Sequence, residues 1–105
     1  MRMTKRWRLT APMATREIQK RAADSAQVVL TQHAQEQMVA RDIIAPELFR
    51  ILREGIVRAE PVKVGDGWKA EIELRLPGGA DAAAVTVVPE GDGLRVVTVM
   101  WRDGR

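Results

Sequence analysis

His33, Gln37 and Arg41 fall at i, i+4 and i+8, the spacing that lines side chains up on one face of a helix. Ala34 and Met38 make an apolar stripe beside them. A histidine at the border between core and water can exchange a proton near neutral pH. An arginine within two turns of it can hold a phosphate through paired N–H donors. The stripe is therefore a candidate for gripping, or acting on, a nucleic-acid backbone. His33 and Arg41 are the catalytic candidates, and Gln37 is a nucleic-acid contact. Because it borders the buried stripe, it should sit at a helix–sheet seam, at the mouth of a groove. In the plainer alternative His33 bonds the local backbone while Gln37 and Arg41 face water.

The second concentration of chemistry is at the front of the chain. Residues 1–24 hold seven basic side chains against Glu17 and Asp24, a local charge of +5 within a formal net charge of +3. Arg2, Lys5, Arg6 and Arg8 surround Trp7. Cations with an interleaved aromatic suit the phosphates and bases of RNA, or a groove on a partner protein. A short basic end that only aids solubility is the alternative.

Much other chemistry is excluded. The chain has no cysteine and one histidine, so disulfides, thiolate metal sites, cysteine nucleophiles and multi-histidine metal centres are out. No metal or cofactor is expected. Ser25 has no base near it in sequence, and the Gly-Asp-Gly turns lack the spacing of a phosphate or calcium loop. Lys69, Glu71, Glu73 and Arg75 share one face of a predicted strand, where cross-strand pairing explains them better than acid–base work. Trp68 and Trp101 are expected to close the two ends of the core, with base stacking as the alternative.

Few elements are needed to position these groups. The 105 residues allow one domain, and 46% hydrophobic content excludes wholesale disorder. No apolar run approaches the ~20 residues of a membrane span, and no secretory h-region follows the basic start, so a cytoplasmic protein with no membrane partner is expected. Residues 1–10 read as a flexible basic arm, and 11–105 as a single α+β domain. Thr10 can cap a helix over 11–24, with Ala14, Ile18 and Ala22 as its stripe. Val28–Leu30 reads as a short strand or connector. Thr31 caps a second helix, 32–41, and a third carries Leu48, Phe49, Ile51 and Leu52 before Gly55. From there the period becomes two. Trp68, Ala70, Ile72, Leu74 and Leu76 alternate with charged residues. Turn signals divide this half into strands at about 56–64, 67–76, 82–89 and 94–101. The expectation is two to three N-terminal helices packed on a four-stranded antiparallel meander.

The run from Thr31 through His33-Ala34, Gln37-Met38, Arg41 and Ile43, then Leu52 and Gly55, resembles the bacterial family called domain of unknown function 4258. That family's pattern is a histidine–alanine pair, an arginine–methionine pair, an arginine, an isoleucine, a helix and a glycine. Val97-Thr98-Val99 matches its final strand. The similarity covers about residues 28–101. Gln37 stands where the family has arginine, and Ala45 where it has a capping Ser or Thr. The resemblance implies kinship with RelE/ParE-type toxins and barnase-like small ribonucleases, and so a RelE-like fold. It also implies metal-independent RNA cleavage, in which the 2′-hydroxyl attacks the adjacent phosphate. Such a step needs a base, an acid and cations, for which His33, Arg41, Lys69, Arg95 and Arg102 are the candidates.

The leading reading is a RelE-like protein that cleaves or binds RNA in a toxin–antitoxin or mobile-element system, with a cognate antitoxin as a possible partner. The enzymatic form of this reading is a metal-independent endoribonuclease; its other form binds RNA without cutting it. The alternative is a non-enzymatic protein-interaction module. A regulator binding DNA through its front helix ranks last, because no helix-turn-helix is evident.

Overall fold

The computed structural model describes residues 8–102. Three helices, α1 (Ala11–Ala22), α2 (Gln32–Ala40) and α3 (Ala45–Glu54), pack on a six-stranded sheet. Its strands are β1 (Val28–Leu30), β2 (Ile56–Val57), β3 (Val62–Val64), β4 (Gly67–Arg75), β5 (Asp81–Pro89) and β6 (Leu94–Trp101). The spatial order is β1-β6-β5-β4-β2, with β3 also on β4. The α+β class and the antiparallel β4-β5-β6 centre agree with the sequence reading. Among the described residues no helix is long and apolar enough to cross a membrane.

The four-stranded expectation needs two corrections. Val28–Leu30 is a true strand, parallel to β6, with Val28 opposite Leu94 and Leu30 opposite Val96. The predicted strand 56–64 is two strands. Val57 pairs with Ile72 and Val62 with Lys69, so residues 58–61 oppose only Ala70 and Glu71 and must arch away. Pro61 lies in that arch, where its missing N–H leaves no gap in the ladder.

Local capping sets the helix boundaries. Thr10 accepts a bond from Met13 N (3.4 Å) to begin α1, and Leu9 just before it is fully buried. This helix ends at Ala22, two residues earlier than expected, because Asp24 accepts from Ala26 N (3.0 Å) and starts a 3₁₀ turn. Thr31 works twice: its oxygen accepts from Ala34 N (3.0 Å), and its hydroxyl donates to Val97 O (3.1 Å). Asp42 adopts a left-handed φ of 56°, which lets Ile43 N reach back to Met38 O (2.8 Å) and closes α2. At Ala45 no hydroxyl caps α3; instead Glu47 Oε1 accepts from Ile44 N (3.1 Å).

Gly55 ends α3, though not by a left-handed turn, for its backbone is extended. A Cβ there would lie 2.5 Å from Ile51 O and 2.7 Å from Glu73 O. Glycine is required because helix end and strand touch.

The core lies between the helices and one face of the sheet. Ala14, Ile18 and Ala22 of α1 and Leu48, Ile51 and Leu52 of α3 meet Ala70, Ile72, Ala82, Ala84, Val96 and Val99. Alternation assigns these strand positions. Ile72, Ala84 and Val99 form one cross-sheet rung, and Ala70, Thr86 and Val96 another. Between them β6 carries one extra residue, a bulge at Val85/Thr86, so Val96 and Val99 both face inward although three apart. Trp68 and Trp101 pack against the margins of this core.

Ile72 is fully buried and Glu73 sits on the other face, paired with an exposed Arg58. Ile72→Lys should cost more than about 4 kcal/mol by placing a charge in the core. Glu73→Lys should cost under about 0.5 kcal/mol. Urea denaturation of both variants checks this; equal losses would contradict one-sided burial.

Candidate nucleic-acid interface

The helical stripe is only partly assembled. Arg41 Nε donates to Gln37 Oε1 at 2.9 Å, and the Arg41 carbonyl accepts from Trp101 Nε1 at 2.9 Å. The arginine side chain is thus drawn back along α2 by glutamine, at the position where the resembled family carries a second cation. His33 lies in the first turn of α2, exposed, and its side chain makes no hydrogen bond among the described residues. It therefore does not bond the local backbone, as the plainer alternative expects.

The cavities lie elsewhere. An apolar groove of about 430 Å³ runs between β1, α2 and the α2–α3 turn, lined by Leu30, Gln35, Met38, Val39, Asp42, Ile43 and Ile44. A smaller depression of about 180 Å³ sits at the β5–β6 turn, lined by Gln27, Val29, Pro89, Asp92, Gly93, Leu94 and Arg95. His33 and Arg41 line neither. On α2, residues 35, 38 and 39 take the groove side, which turns 33 and 37 away from it; past the helix end, Asp42 lines the groove and Arg41 does not.

Of the basic front, Arg2, Lys5, Arg6 and Trp7 lie outside the described residues. Arg8 is exposed, and on α1 Arg16 and Lys20 are exposed at i, i+4. None of the three has an ion-pair partner among the described residues. The neighbouring Glu17 is taken by Arg21 (3.1 Å).

On the helix-free face of the sheet the expected pairing of charges between strands holds for Glu71, Glu73 and Arg75 but leaves out Lys69. Residues opposite one another share a face, so Lys69, Val87 and Arg95 form one rung, flanked by Val62 and Val29. The carboxylates of β4 and β5 on this face are all matched. Glu71 pairs with Arg102 (2.7 Å), Glu73 with Arg58 (3.5 Å) and Asp81 with Arg75 (3.1 Å). Lys69 and Arg95 are both exposed and have no acidic partner among the described residues. Roughly 10 Å, two strand spacings, separates their backbones. Ala83 and Val87 are buried on this face without helix cover, which the stems of the long charged side chains explain.

Arg21 shapes the adjoining turn. Its Nη1 reaches the carbonyls of Pro89 (2.9 Å), Gly91 (2.7 Å) and Gly93 (2.9 Å). Gly93, with φ of 97°, supplies the backbone angle that aims its carbonyl at the guanidinium. A contact between residues about seventy apart leaves no local sequence signal. The period-two alternation does place Lys69 and Arg95 on wet faces. Their shared rung depends on the β4-β5-β6 register.

Arg21→Ala should lower stability by about 2 kcal/mol, as charge-assisted bonds to three carbonyls are lost. Arg21→Lys should recover part of that. His33→Ala should shift stability by no more than about 0.5 kcal/mol, since it leaves no buried group unpaired. Thermal melting checks all three. Comparisons with protein-family models, curated proteins and solved structures give no match to this chain.

Proposed function

We propose that this protein binds RNA across the helix-free face of its sheet, as a RelE-like component of a toxin–antitoxin or mobile-element system. The observation that supports this best is the charge left over on that face: each carboxylate of β4 and β5 there has its own arginine, while Lys69 and Arg95, on one rung, have no acidic partner among the described residues. An extended sheet face that carries cations without acidic partners can follow a single-stranded backbone. The basic front of the chain, with Arg16 and Lys20 beside it, adds long-range attraction for polyanions. The sequence resemblance points the same way.

Cleavage has less support than binding. His33 would act as acid or base and Arg41 would steady the phosphorane charge. The His33 side chain, however, has no hydrogen-bond partner among the described residues, and α2 lies in the helical layer, across the sheet from Lys69 and Arg95. In this proposal binding comes first, and cleavage is decided by assay.

The test is the salt dependence of binding to a short single-stranded RNA. Lys69→Ala with Arg95→Ala should reduce the slope of log affinity against log salt by about 1.4, at ~0.7 per phosphate contact. Deleting residues 1–8, which remove four cations, should flatten it further. An unchanged slope in the double variant would exclude the sheet face. RNA cleavage by the wild type that is lost in His33→Ala would restore the catalytic reading.

A second reading, the protein-interaction module, is favoured by the apolar groove. Val39 is 83% and Ile44 55% exposed on its rim, beside β1, the edge strand of the sheet among the described residues. Exposed apolar side chains bordering a groove mark a docking surface. Val39→Asp should leave folding intact, within about 0.5 kcal/mol by thermal melting, and abolish co-purification of a cognate partner.

A further inference from the structure

We infer that the protein bridges two RNA strands, one on the helix-free face of the sheet and one on the outer ridge of α1, and so speeds the pairing of complementary strands. This rests on the RNA-binding reading and goes beyond it by adding a second polyanion surface and an activity. The ridge follows from the packing of α1. Ala14, Ile18 and Ala22 are fully buried in the core. Arg16 and Lys20 stand two residues before and after Ile18, about 200° around the helix from it, and both are exposed. At i, i+4 they are neighbours on that ridge. With the exposed Arg8 ahead of the helix, they have no acidic partner among the described residues. The one carboxylate of α1, on Glu17, is held by Arg21 (3.1 Å). Asp24, beyond the helix end, caps the 3₁₀ turn through Ala26 N (3.0 Å). Lys69 and Arg95 point the opposite way. Alternation puts Ala70 and Ile72 under the helices and Lys69 on the other face, level with Arg95. The sheet and a helix of about 10–12 Å diameter therefore stand between the two cationic surfaces. The Debye length at 0.1 M salt is only ~10 Å, so a strand on one surface barely repels a strand on the other. Two strands held on one protein have a raised effective concentration for each other, and the cations offset the phosphate repulsion that slows their pairing. Two or three phosphate contacts per surface give weak, quickly reversed binding, which lets the finished duplex leave.

The experiment mixes the full chain with short oligouridines labelled with a donor or an acceptor dye, which cannot pair with each other, and reads energy transfer. Transfer should rise and then fall as protein is added past equivalence, as a bridge requires. Arg16→Gln with Lys20→Gln should abolish transfer and halve the number of oligouridines bound per chain at saturation. The same variant should keep the wild-type melting temperature and sheet-face affinity within about threefold, because that face lies a Debye length away. Lys69→Ala with Arg95→Ala should abolish transfer from the other side. With complementary RNAs, the wild type should raise the annealing rate several-fold and the α1 double variant should not. Binding of oligouridine without energy transfer would overturn the bridge while leaving the RNA-binding reading standing. So would transfer that survives either double variant, the result expected if copies of the chain associate and each carries one strand. If oligouridine does not bind, the underlying reading fails and the bridge with it.

Discussion

Among the described residues, helices cover one face of the sheet and leave the other open, and the rest of the fold depends on that constraint. Alternation in β4 sends Ala70 and Ile72 under α1 and α3 and leaves Lys69, Glu71 and Glu73 in water. A one-residue slip would exchange the two sets and place three charges in the core. The bulge in β6 preserves this partition, keeping both Val96 and Val99 inward. Small residues at the interface, Ala14 and Ala22 on α1 and Ala82 and Ala84 on β5, leave room for helix and sheet to approach closely. The tight contact between Gly55 and β4 belongs to the same approach.

One-sided cover gives the open face a specific problem. Carboxylates and cations must coexist there with a partly apolar centre. The solution is cross-strand and inter-element pairing, worth little per pair at exposed positions but decisive for which charges remain available. Arg102, Arg58 and Arg75 neutralise the acids. Lys69 and Arg95, without an acidic partner among the described residues, stand on either side of Val87.

Arg21 links the two layers at one corner. It leaves α1 and binds three carbonyls of the β5–β6 turn, so the turn geometry and the depression next to it depend on a residue in the helical layer. Arg53 of α3 does something similar at the same end of α1, donating from Nε to Ala22 O (2.8 Å) while its guanidinium lies 4.8 Å from the Phe49 ring centre. Both arginines close helix or turn ends with charge-assisted bonds.

The sequence alone determined the element types and most of their limits. Thr10, Thr31 and the period-two run from Trp68 to Leu76 act locally, and local chemistry is what a single sequence displays. It also placed His33, Gln37 and Arg41 on one helical face. The break of 56–64 into two strands, the parallel pairing of Val28–Leu30 with β6 and the bulge at Val85/Thr86 depended on partners distant in sequence. So did the environment of the stripe. Gln37 takes up Arg41 and the groove opens on the opposite side of α2, because α2 is oriented by Ala34 in the core and by Thr31 bonded to Val97 O. The rung of Lys69, Val87 and Arg95 was decided only by tertiary structure. Its members are close because three strands align in register, a long-range constraint that no spacing along the chain encodes.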